Sequence, residues 1–238
     1  MTEELPELPE RLPPLAAEHV VTLPVTTRLV RVHLRTGRHA REYHELRYLG
    51  PLPGHGRFDH HPTGSPPRPA DHFPNHGALY AACDDPRAAA NAPEGGGSVP
   101  GNVLDVVVAE LVQSGVELQI TPGLTLSVFT PAAPLLLLDA RTWGQSVRAG
   151  THLSTAPHHR VQPWARAIRS TYPQLHGVLY VPATGGRAVS VVLNELANAA
   201  LTDAGLLMSR SFDDPALLGI IMDVAKRLNV SITMNPTA

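Results

Sequence analysis

The sequence predicts an α/β (α+β) protein in which mixed sheets are flanked by helices. Runs such as TRLVRVHLR (27–35), HGVLYVP (176–182) and AVSVVLNEL (188–196) are short, β-branched and apolar in the manner of strands. WARAIRSTYP (164–173) and DPALLGIIMDVAKRLN (214–229) instead space their apolar residues as helices do. The chain has no internal repeat.

The elements follow in order. Residues 1–22 read as a flexible Pro-rich arm, because prolines at 6, 9, 13 and 14, with another at 24, forbid continuous helix. A single domain then runs over 23–238. Its first strand, 27–35, alternates Leu29, Arg31 and His33 against Val30, Val32 and Leu34, which places Arg31 on the more polar face. Prolines and glycines make 36–76 a long irregular segment, of the kind that is either functional or disordered. GALYAAC (77–83) is a short buried strand, and DDPRAAANA (84–92) begins a helix with Pro at its first turn. PEGGGSVPGN (93–102) breaks the chain. VLDVVVAELVQSG (103–115) fits strand or helix, with Asp105, Glu110 and the closing Gly115 favouring helix. VELQITP and LTLSVFTP (116–131), split by Pro122-Gly123, read as a hairpin or paired strands. APLLLLDAR (133–141) is a buried strand, ALTDAGLL is ambiguous, and VSITMN (230–235) is a terminal strand.

Composition excludes several function classes. The 238 residues are 43% hydrophobic, enough for a sizeable core, and only 17% charged, with a formal net charge of −2. That balance gives no electrostatic case for direct nucleic-acid binding or for an anionic membrane. One cysteine, Cys83, excludes an internal disulfide framework. The acidic, proline-rich N-terminus predicts neither a signal nor a transit peptide, and no apolar run approaches the ~20 residues of a membrane span. The expected location is cytoplasmic.

Eight of the thirteen histidines fall between positions 33 and 76, and Asp59 or Asp71 could complete a ligand set. No metal is expected, because no His-x-x-x-His pair stands on a helix and the neighbours His60 and His61 point to opposite sides of an extended backbone. These histidines read as solvated loop residues. Ser154 with His158 or His159 lacks the strained elbow of a hydrolase nucleophile. EGGGS (94–98) lacks the Lys-Ser/Thr ending of a phosphate loop.

One ordered set of motifs is more specific. LVRVHL (29–34), Gly56-Arg57-Phe58, LYAACDDPRAAA (79–90), LLLLDART (135–142), STAPHHRVQPWARAIRS (154–170), HGVLYVPA (176–183) and VVLNE (191–195) follow one another across about residues 26–200. Together they resemble the RES-domain family, bacterial toxins that degrade NAD or use it for ADP-ribosyl transfer. The resemblance implies an ADP-ribosyltransferase-like split-sheet core with NAD as substrate or ligand. It also implies an antitoxin-like protein partner, and a homodimer is compatible with it. By that resemblance Arg31 matches the first motif arginine, Gly56-Arg57-Phe58 the Gly-Arg-aromatic turn and Tyr80 the aromatic of the Leu-Tyr-Ala strand. Tyr43 matches a tyrosine between them.

Arg31 and Arg57 would then hold phosphates, as guanidinium groups do. Tyr43 or Tyr80 would stack on nicotinamide. The family glutamate falls at about Asn91, leaving Glu94 as the nearest carboxylate. The family serine falls at Pro182-Ala183, leaving Thr184 to supply a hydroxyl. A carboxylate is what an oxocarbenium-like transition state calls for. Two functions follow: cleavage of the nicotinamide–ribose bond, or a catalytically degenerate binding or regulatory module.

Overall fold

The computed structural model describes residues 5–36, 41–48, 56–61, 76–89, 103–105, 107–108, 117–120, 122–182 and 188–234. Its strands are β1 (Val20–Leu23), β2 (Leu29–Leu34), β3 (Leu79–Asp84), β4 (Glu117–Ile120), β5 (Leu124–Thr130), β6 (Leu135–Asp139), β7 (Gly177–Tyr180), β8 (Ala188–Leu193), β9 (Gly205–Ser211) and β10 (Ser231–Met234). The helices are α1 (Pro86–Ala89), α2 (Ala140–Ser146), α3 (His152–Thr155), α4 (His158–Thr171), α5 (Asn198–Thr202) and α6 (Pro215–Arg227). Residues 103–105 and 107–108 are also helical and bury Val103, Leu104, Val107 and Val108. The expected mixed sheet with flanking helices is present.

Eight strands form one sheet in the order β1-β6-β7-β8-β3-β2-β5-β9. Among the described pairs of this sheet β6–β7 alone is parallel, joined by the long helical connection through α2, α3 and α4 that such a pair requires. Along most borders the register is continuous, but β2 and β3 meet at the single pair Val30↔Ala82. The sheet therefore nearly separates into a β1-β6-β7-β8-β3 half and a β2-β5-β9 half.

Period-two alternation sends the two sides of each strand to different cores. On one face Leu29, Leu79, Ala81, Cys83, Phe129, Leu137, Leu179 and Val191 pack with Ala200 and Leu201 of α5. On the other, Leu138, Val178, Tyr180 and Val192 pack under Trp143, Trp164 and Ile168 of α2 and α4. Beside them Val30, Ala82, Leu126 and Val128 pack under Leu217, Ile221 and Val224 of α6. Asp139 anchors this arrangement. It is fully buried, caps α2 through the Arg141 N–H, and takes Arg141 Nε at 2.8 Å and Arg87 Nε at 3.1 Å.

Three expectations are corrected. The arm is not free over its described part: Leu5 is buried, Leu12 and Leu15 pack on the tryptophan cluster, and Tyr172 donates its hydroxyl proton to the Pro13 carbonyl at 2.6 Å. Proline forbids helix but not an extended chain laid along a surface, and residues 20–23 then form β1. The runs 116–131 do not pair with each other: β4 runs parallel to β10, whereas β5 lies between β2 and β9. Between them Gly123 adopts φ +81°, and a Cβ there would sit 2.0 Å from Thr36 Oγ1. Finally, Arg31 is buried rather than on a polar face.

Candidate functional site

Arg31 follows Val30, the residue through which β2 pairs with β3. Its side points the same way as Leu29, and the chain of residues 41–48 covers it. One guanidinium nitrogen, Nη1, donates to the carbonyls of Glu42 (3.2 Å), Tyr43 (2.8 Å) and Glu45 (2.7 Å). Burial, with Arg47 nearby, lowers the Arg31 pKa to about 10. Tyr43 donates its hydroxyl proton to the Ala204 carbonyl at 3.1 Å, and its ring lies 5.2 Å from that of Phe129. His33, next on the same side, meets the Arg41 carbonyl through Nδ1 at 2.8 Å. A carbonyl only accepts, so Nδ1 carries the proton and Nε2 accepts from the Ser127 hydroxyl at 2.9 Å.

The Gly56-Arg57-Phe58 turn lies on the opposite face of the sheet. There the Phe58 N–H donates to the Tyr80 hydroxyl at 3.0 Å, and that hydroxyl donates to Asp59 Oδ1 at 2.9 Å. Arg47 holds both oxygens of the buried Asp59, at 2.9 and 2.7 Å, and its guanidinium lies 5.5 Å over the Tyr80 ring. Burial, then the Asp59 charge, drives the Tyr80 pKa upward, so the phenol keeps the proton it donates. Glycine is needed at 56 because a Cβ would lie 2.2 Å from the Tyr80 oxygen. Phe58 packs on Tyr180 at 4.9 Å, and Arg57 donates to the Ala156 carbonyl.

The strand-borne and turn-borne residues are thus divided by the sheet. Arg31 and Tyr43 share one side, whereas Gly56, Arg57, Phe58 and Tyr80 share the other. Glu94 and Thr184 lie outside the described residues, as do Asn91 and Ala183.

The histidines beside the turn are not solvated, which corrects the loop reading. His60 is 7% and His61 1% exposed, and their rings lie 6.3 Å apart and 5.7 and 6.2 Å from His76. Chain direction alone does not expose a residue when both sides of the segment are packed. Glu195 faces this cluster, 3.5 Å from His60 Nε2 and 3.7 Å from Arg169 Nε, and accepts the Gly77 N–H. Burial pushes the Glu195 pKa up, but His60 and backbone donors outweigh it, and the net shift is downward. A cavity of about 30 Å³ lies beneath, lined by Phe58, His60, Arg169, Tyr172 and Asn194 among others. Among the described residues no three His, Cys, Asp or Glu side chains are grouped to hold a metal ion, and no helix is long and apolar enough to cross a membrane.

This cluster sets a pH dependence. Burial, its largest cause, lowers the His61 pKa to about 4, below the 6.5 of an exposed histidine. Below pH 6.5 the unfolded chain therefore binds a proton that the folded chain refuses. Stability is full above pH 6.5 and falls as pH drops towards 4, by up to about 1.4 kcal/mol per pH unit for this group. Urea titrations between pH 7 and 4 check it. His61→Asn is expected to flatten the slope, and an unchanged slope would show that His61 does not cause it.

Sequence reasoning gave Arg47 no role, weighed Asp59 only as a metal ligand and met Glu195 only as the end of VVLNE. Asp59 carries a usable signal, since it directly follows Gly56-Arg57-Phe58. The roles of Arg47 and Glu195 carry none, because their partners are distant in the chain.

No model of a known protein family matches the chain. No curated protein matches it in sequence. Among solved structures, a chain of the M. tuberculosis MbcT–MbcA toxin–antitoxin complex is similar, with 16% identity over 84% of this chain and 92% of that one and a TM-score of 0.44. Likeness at that level adds nothing to what the strand order already describes.

Proposed function

We propose that the chain is a RES-like nucleotide-binding domain directed at NAD, with cleavage of the nicotinamide–ribose bond as the reaction open to it. One observation carries the reading: the Phe58 N–H to Tyr80 hydroxyl bond joins the two segments that the motif pattern singles out, 22 residues apart. Around them stand Arg47, Arg57, Arg166 and Arg169, bonded to Asp59, the Ala156 and His61 carbonyls and Glu195, and guanidinium groups are the donors that a pyrophosphate calls for. The cavity beneath Phe58 is far too small for a dinucleotide, which occupies hundreds of Å³. NAD would therefore lie along the turn with its nicotinamide ribose over the mouth of the cavity, and Glu94 and Thr184 are the carboxylate and hydroxyl to be tested.

The second reading, a degenerate binding or regulatory module with an antitoxin-like partner, draws on Arg31. Its Nη1 serves three main-chain carbonyls and so ties down the segment of residues 42–45. Calorimetry with NAD and chromatographic detection of nicotinamide separate the two. Binding with nicotinamide release is expected of the enzyme, and binding without release of the module. An absence of binding would overturn both.

A further inference from the structure

His60 stands two residues beyond Phe58 with a side chain only 6% exposed, and its Nε2 makes no hydrogen bond within the protein. An unsatisfied buried nitrogen is costly, and proteins relieve that cost with an ordered water where there is room. There is room here: His60 lines the cavity of about 30 Å³, enough for a water molecule. Glu195 stands beside His60 without lining the cavity. Its Oε1 is 3.5 Å from His60 Nε2, an ion-pair separation, while its Oε2 is buried without a hydrogen bond. The Gly77 N–H and Arg169 also hold this carboxylate.

We propose that His60, backed by Glu195, holds a water in this cavity and acts as its general base, so that the NAD-directed reaction, if the preceding reading holds, is hydrolysis. The water oxygen forms a bond to C1′ of the nicotinamide ribose as the C1′–nitrogen bond breaks. Nicotinamide leaves as a neutral base with the bonding pair. The proton of the water passes to His60 Nε2 and then to solvent, and the Glu195 carboxylate stabilises the imidazolium in between. Neither phosphate nor a protein side chain is needed as acceptor.

Full-length protein incubated with NAD in phosphate-free buffer made with oxygen-18 water is expected to release nicotinamide and ADP-ribose carrying one heavy oxygen. His60→Gln should keep NAD affinity within about twofold and lower kcat about 100-fold or more, the usual worth of a general base. Glu195→Gln should lower kcat and move the acidic limb of its pH profile, which a purely structural role would not do. Wild-type turnover by His60→Gln, nicotinamide release that appears only when phosphate is added, or NAD binding without release overturns the proposal while NAD recognition stands. Failure to bind NAD overturns the recognition itself. The water site has its own check that needs no substrate. A crystal structure showing water within hydrogen-bond distance of His60 Nε2 supports it, and one showing a dry cavity overturns it.

Discussion

Trp143→Ala is expected to destabilise the fold by about 4 kcal/mol, the range for emptying a large aromatic site in a core. Trp143 is fully buried on α2 and meets Trp164 and Tyr172 edge-on, at 6.0 and 6.2 Å with interplanar angles of 84° and 88°. Such pairs add about 0.5–1.5 kcal/mol beyond the area they bury. Its Nε1 also donates to the Tyr172 hydroxyl at 3.3 Å, and that hydroxyl holds Pro13. The substitution therefore loosens the N-terminal segment as well as the helices. Thermal unfolding should show a loss of about 10 °C for a chain of this size. A loss below about 2 °C would mean that the cluster does not carry the α2–α4 side of the sheet. Trp143→Phe should recover most of the difference.

Asp59→Asn should cost about 3 kcal/mol and release the turn. The change keeps the shape but removes the charge that Arg47 grips with two hydrogen bonds, leaving a largely buried guanidinium without its counter-ion. Tyr80 also loses the acceptor that orients its hydroxyl towards Phe58. Because the turn hangs on that pair, the NAD binding proposed above should weaken along with stability. A double-mutant cycle with Arg47→Met in urea melts isolates the pair, with a coupling of 1 kcal/mol or more expected. Additive effects would show that Arg47 and Asp59 act separately.

Much of the fold is legible without coordinates because strands write their pattern locally. The runs at 29–34, 79–84, 135–139, 177–180 and 188–193 are recognisable from apolar content within six residues, and α6 from its amphipathic spacing and the Asp214 cap before Pro215. The strand at 20–23 was hidden because its four residues lie in a proline-rich context. The helix at 140–146 was hidden because it continues a buried strand without a break. For the candidate site, the motifs single out Gly56-Arg57-Phe58 and Tyr80, which a hydrogen bond joins, and Arg31, which lies on the other face of the sheet. They give no role to Arg47, Asp59 or Glu195, whose bonds span 12 to 118 residues.

The sequence by itself determined which segments extend and which coil, because these depend on backbone and nearest-neighbour sterics. Tertiary structure decided which side of the sheet each residue faces and what surrounds it. A strand pattern says that Arg31 and His33 share a side. Only the packing of residues 41–48 makes that side an interior in which Arg31 serves three carbonyls. The histidines beside the turn changed from solvated to buried for the same reason. Burial is a property of everything packed around a residue, and no local pattern encodes it.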